Sequence, residues 1–295
     1  MRLEICLFYY GLINNMPLTR LVYLILLIPA VVYGFEVRGM QNPESFIVDP
    51  ATGIYYVSCV NGGSAARDNN GSIAKMDSAN PINLDFIMGG KNHVELHAPK
   101  GLALSGNDLY VADIDVVQRF DKNTGHLLGT IDLKLVGAVF LNDVAADLKG
   151  NIYVSDSHAN IIYKIDPESN FQVTILAKGL ALENPNGLVY DPAFKRLIVA
   201  TGGKGKILTV DMNGKTMLLV NKQFKSLNGI DFDRQGNLLV SSSIEGKIYR
   251  IKQYSVAEVI KENIHTPSDI SFDYKNNQVL IPSFGGNIVF THPLD

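Results

Sequence analysis

The chain has 295 residues, 46% of them apolar and 19% charged, with a net charge of −3 at pH 7. Such a composition excludes a disordered chain and leaves room for one large domain with its own core. An acidic balance without runs of like charge argues against a nucleic-acid partner.

The N-terminus reads as an export leader. Arg20 precedes the apolar run Leu21 to Val32, and Val32 and Gly34 stand at the small-residue positions of a cleavage site before Phe35. The run is shorter than the roughly 20 residues that a spanning helix needs. Residues 1–34 are therefore expected to be removed and residues 35–295 to be exported, periplasmic or secreted. An uncleaved leader would instead anchor the chain to a membrane. Met16 is an alternative start, because Met16-Pro17-Leu18-Thr19-Arg20 directly precedes the run. Of the two cysteines, Cys6 lies in the leader, which leaves Cys59 without an intrachain partner.

Behind the leader the chain repeats itself six times. The units open on Glu44-Ser45, Lys100-Gly101, Asn142-Asp143, Asn186-Gly187, Asn228-Gly229 and Ser268-Asp269, spaced 56, 42, 44, 42 and 40 residues apart. The first gap is long because it holds two loops, Asn61 to Asn70 and Gly89 to His97. A little past each opening pair comes Asp49, Ser105, Asp147, Asp191, Asp233 or Asp273. Turn residues such as Lys149-Gly150-Asn151 follow, and then a β-branched and aromatic stretch such as Ile152-Tyr153-Val154. Alternating patterns broken by turns about every 8–12 residues predict antiparallel strands. Four strands per unit predict an all-β fold, a six-bladed β-propeller of four-stranded antiparallel blades over residues 35–295. The last unit stops at its third strand, Asn287 to Thr291. Phe35 to Met40 is expected to supply the missing strand and close the ring of a monomer.

In such a blade, the loop entering strand one and the loop joining strands two and three share a face. The opening residues Glu44, Lys100, Asn142, Asn186, Asn228 and Ser268 are thus expected to ring the channel mouth. The second-to-third strand loops supply an outer ring, including Asp113, Asp115 and Asp156 to His158. Asn-Gly and Asn-Asp are also ordinary turn pairs, but three Asn at equivalent places point to a shared role. The ring suits a hard cation, since Ca²⁺ accepts carboxylate, amide oxygen and water together. Glu44, Asn186 and Asn228 can offer three such oxygens. A single carboxylate keeps the affinity modest, and Lys100 lowers it further. Lys100 and His158 are the candidates for contacting a ligand, with His97 on the same face. The chain has no Gly-x-Ser-x-Gly, P-loop, His-Glu-x-x-His or Cys-x-x-Cys motif.

The units Phe140-Leu141-Asn142-Asp143-Val144 through Asp166-Pro167, Pro185-Asn186-Gly187-Leu188 and Leu227-Asn228-Gly229-Ile230 resemble the regucalcin–gluconolactonase family of six-bladed propellers, over roughly residues 43–290. The blades are also similar to NHL-repeat propellers, many of which only bind. The first resemblance implies hydrolysis of a lactone or ester with one divalent metal ion, Ca²⁺ or Zn²⁺. It implies Glu44 and Asn186 as metal ligands and Asn142 as a substrate contact. The family's blade-five Asp, a ligand and the proposed base, is Asn228 here, and an amide cannot act as a base. The family's substrate-binding Arg two places before Asn142 is Phe140. Asp269 is the nearest replacement carboxylate, offset by one residue in its unit and so expected on the other face. The competing class is a non-catalytic propeller that holds a carbohydrate, peptide or protein.

Overall fold

The computed structural model describes residues 34–77 and 80–295. The expected leader, apart from Gly34, lies outside these residues. Six four-stranded antiparallel sheets form the six blades of a propeller. The innermost strands are Pro43–Val48, Pro99–Ser105, Leu141–Ala146, Pro185–Asp191, Leu227–Phe232 and Ser271–Asp273. The ring closes as expected: Glu36–Arg38 forms the outer strand of blade six, pairing antiparallel with Ile288–Pro293. The strand is shorter than its predicted span, but Phe35 extends the join, since its carbonyl accepts from the Thr291 N–H.

The repeated aspartates make the turns. Asp147 accepts the Lys149 and Asn151 N–H groups, and Asp233 accepts those of Gln235 and Asn237. Each carboxylate thus folds its own hairpin as an Asx turn. Second strands are buried on both sides because each blade is packed between two neighbours. Ile152–Asp156 has no exposed residue, whereas the outer strand Leu127–Asp132 alternates. The core accordingly lies between blades: Tyr110 and Val117 of blade two pack with Val144, Ile152 and Tyr163 of blade three.

One irregularity shapes the channel. In blades one to five, the ladder between the first two strands skips the opening pair, at Pro43/Phe46, Pro99/Leu102, Leu141/Val144, Pro185/Leu188 and Leu227/Ile230. A bulge of this kind re-aims side chains that a regular strand would alternate. Behind the opening residues the inner strands nearly touch. A Cβ on Gly187 would lie 2.2 Å from the Asn228 carbonyl oxygen, so only glycine fits there. Elsewhere polar side chains join the blades. Asp143 accepts the Leu188 N–H at 2.6 Å, and Ser45 donates to Asp269 at 2.6 Å.

Candidate functional site

The bulges bring the opening residues to one end of the channel, and buried serines hold them there. Ser155 Oγ accepts the Asp143 N–H at 2.9 Å and donates to the Asn186 carbonyl at 2.6 Å. Ser241 does the same between Gly229 and Ser268, at 2.8 and 2.6 Å. Each serine therefore ties one opening pair to that of the next blade. Glu44, Lys100, Asn142, Asn228 and Ser268 share the wall of one cavity of 220 Å³, with Phe140, Val60 and Phe284 as its apolar surfaces. Asn186 holds the ring position between Asn142 and Asn228 but is not on that wall.

The hydrogen bonds fix which way the amides face. A hydroxyl has one proton to give. Ser157 gives its proton to the Pro185 carbonyl at 2.8 Å, so it receives the Asn142 Nδ2 group at 3.1 Å. Ser268 gives its own to Glu44 Oε1 at 3.0 Å and receives Asn228 Nδ2 at 3.2 Å. The amide oxygens are thereby turned away from the serines. Glu44 Oε2, Asn142 Oδ1, Asn186 Oδ1 and Asn228 Oδ1 are all buried without a hydrogen-bond partner. Buried acceptors without partners are rare and costly. Those of Glu44, Asn142 and Asn228 belong to residues on the mouth wall and make it an acceptor-rich cradle, with Asn186 at the ring position beside it.

Glu44 is 5% exposed and Lys100 2% exposed. Burial raises the Glu44 carboxyl to about 7, against the opposing pull of Lys100 and Ser268. Burial likewise lowers the Lys100 ammonium to about 8, against Glu44 and Asp113. The two form no ion pair. Lys100 Nζ donates to the Ala98 carbonyl at 3.1 Å and sits 4.3 Å from the centre of the Phe140 ring.

The remaining candidates fall elsewhere. His158 is exposed at the rim, stacked on Phe140 with centroids 4.3 Å apart. His97 accepts the Asn69 N–H at its Nδ1 and pairs with Glu95 through its Nε2, so it pins the long loop of blade one. Asp269 and Asp143 are buried beside the half-buried Asp231 on a second cavity of 300 Å³, away from the mouth wall. Two members of the expected outer ring, Asp113 and Asp156, turn inward instead. Asp113 caps the His97 and Ala98 N–H groups, and Asp156 those of Val139, Phe140, His158 and Ala159. Both are strand-end residues whose carboxylates find backbone donors before they find solvent. Asp115 is held by Arg67 through two bonds of 3.3 and 2.5 Å. Ser157 does lie in the expected outer ring, but its role there, a hydroxyl that sets the Asn142 amide, was not foreseen. Its place in Ser155-Asp156-Ser157-His158 carried no signal beyond that of a polar loop. Among the described residues, no three His, Cys, Asp or Glu side chains form a metal cluster. The mouth combines one carboxylate with amides.

No protein-family model and no curated protein matches the chain. Solved structures match its fold. A candidate gluconolactonase aligns with 14% identity and a TM-score of 0.67, covering 89% of this chain and 92% of that one. A catalytically inactive virginiamycin B lyase from Staphylococcus aureus with quinupristin aligns with 14% identity and a TM-score of 0.62, covering 89% and 99%. A streptogramin B lyase aligns with 14% identity and a TM-score of 0.61, covering 89% and 87%. At such identities the likeness is one of fold.

Proposed function

We propose that the chain is an exported propeller that holds one hard divalent cation at its channel mouth and acts there on a small lactone or ester. The reading rests on one observation: Glu44 Oε2, Asn142 Oδ1, Asn186 Oδ1 and Asn228 Oδ1 are buried without partners. Carboxylate and amide oxygens are the donors that Ca²⁺ takes, and Zn²⁺ with its preference for nitrogen and sulfur fits less well. Glu44, Asn186 and Asn228 would hold the ion, and Asn142 would face the ligand. A bound divalent cation supplies Lewis acidity toward an ester carbonyl. Ser157 and Ser268 orient the Asn142 and Asn228 amides through their Nδ2 groups, which leaves those two amide oxygens free to accept. Among the solved structures with this fold, one is described as a candidate gluconolactonase, the activity class proposed.

A second reading, binding without catalysis, is favoured by the amide of Asn228. It cannot take a proton from water, and among the described residues Glu44 is the only carboxylate on the wall of the mouth cavity. Metal analysis of the purified protein, followed by a lactone and aryl-ester panel with and without chelator, separates the two. Bound Ca²⁺ with chelator-sensitive hydrolysis supports the enzyme. Bound Ca²⁺ with no hydrolysis leaves the binding module, and no metal under any condition overturns the cation site.

A further inference from the structure

Lys100 is poorly satisfied for a buried ammonium. It carries three N–H donors. One bonds the Ala98 carbonyl, and the Phe140 ring faces the group at 4.3 Å. No carboxylate pairs with it among the described residues. Glu44 shares the same wall, but its Oε1 accepts from Ser268 and its Oε2 is without a partner. Asp113, the other acid that acts on Lys100, spends its carboxylate on the His97 and Ala98 N–H groups. A lysine that served only to neutralise Glu44 would be expected to touch it.

The surroundings narrow what the spare donors take. Glu44 and Lys100 are the charged residues on the cavity wall; the rest are amides, hydroxyls and apolar groups. At 220 Å³ the cavity itself takes a group of a few heavy atoms. A divalent cation in the acceptor cradle would leave the mouth with more positive than negative charge, and an anionic ligand offsets that excess. The amide oxygen of Asn142 suits a hydroxyl donor on the same ligand.

We propose that Lys100 anchors a carboxylate, so that the mouth takes small hydroxy acids, or their esters and lactones that carry a free carboxylate. The inference deepens the proposed function by naming the ligand class. It assigns Lys100 to ligand specificity, a role separate from the cation cradle.

The test is calorimetric titration of D-glycerate and of glycerol into the full chain, in Ca²⁺ and in chelator. Glycerate should bind and glycerol should bind much more weakly. Lys100→Met should weaken glycerate by about tenfold to a hundredfold, the value of one charge-assisted hydrogen bond, with glycerol unchanged and Ca²⁺ binding kept or tightened. Lys100→Arg should retain most of the glycerate affinity. Should Lys100→Met melt early, Lys100→Gln carries the same comparison. Equal binding of glycerate and glycerol by the parent, no binding of either, or a Lys100 variant without charge that binds glycerate as the parent does, overturns the anchor. Lys100-dependent glycerate binding with no Ca²⁺ binding would keep the anchor and reject the cation cradle instead.

Discussion

Glu44 and Lys100 are buried on one wall of the channel mouth without forming an ion pair. Glu44 is turned to Ser268, and Lys100 to the Ala98 carbonyl and the Phe140 ring. Desolvation therefore dominates both, lifting the acid to about 7 and bringing the base down to about 8. Two buried charges left apart are costly to the fold. That cost makes sense where a third party, a cation or an anion, completes each of them.

Asn228→Asp should add an anionic ligand and a proton acceptor at one place. Tighter Ca²⁺ binding is expected, because hard cations favour anionic oxygen. If the enzyme reading holds, lactone hydrolysis should rise by about 10²–10⁴-fold, the usual worth of a general base. Adding Glu44→Gln should remove the gain. Rates of the single and double variants check this, and an unchanged rate with unchanged Ca²⁺ affinity speaks against both roles of the position.

Gly187→Ala should damage the mouth through the backbone. Its Cβ would meet the Asn228 carbonyl oxygen at 2.2 Å, which no side-chain movement relieves. A loss of about 1–3 kcal/mol or more is expected from overpacking, together with weaker ligand binding, since Asn228 must shift. Chemical denaturation measures the first effect, and parent-like stability would contradict the close approach.

Removing residues 1–40 should open the ring. The Ile288–Pro293 strand would lose its partner Glu36–Arg38, and Phe46 and Tyr55 would lose the Phe35 ring that packs 6.3 and 5.5 Å from them. An exposed strand edge invites pairing between chains. A lower melting temperature and concentration-dependent aggregation are the expected readouts, against a parent beginning at Phe35. Identical melting of the two would mean that the outer strand does not matter to closure.

Stability should fall as pH rises from about 4 to about 7. Burial raises Asp231 from 3.8 to about 7 in the folded chain. Its folded form therefore keeps a proton that the unfolded chain has already released. The stabilisation is complete below pH ~4 and is lost as pH climbs through the folded value. Asp143 and Asp269 are raised as well, by burial first and by neighbouring carboxylates, and act in the same direction. Asp49, Asp147 and Asp273 are lowered by their turn and ion-pair partners, so their stabilisation is lost as pH falls into the acid range. Denaturation midpoints measured across pH check the slope, and Asp231→Asn should make it shallower between about 4 and 7, since Glu44, Asp143 and Asp269 remain. A midpoint that rises through this window would contradict the account.

The repeat was legible because its marks are local. Asp147 and Asp233 fold their own turns, so their spacing shows in the sequence whatever surrounds them. The opening residues were legible for the same reason, and the ring they form follows once six units are counted. What lies between blades was not legible. Asp113 and Asp156 look like loop carboxylates, and it is the returning backbone of the preceding loop that draws them inward as caps. The orientation of Asn142 depends on Ser157, which depends in turn on the Pro185 carbonyl of the next blade. That Glu44 and Lys100 do not pair depends on Ser268, Ala98 and Phe140, partners that their spacing in the sequence does not reveal.

The cation cradle is tested most directly by titrating Ca²⁺ calorimetrically into the chelator-stripped chain and into its Glu44→Gln variant. One ion per chain with modest affinity is expected. Replacing the only anionic ligand should weaken binding by more than replacing any single amide, with Asn186→Ala and Asn228→Ala as the comparison. Absence of Ca²⁺ binding by the parent, or binding that Glu44→Gln leaves untouched, would contradict it.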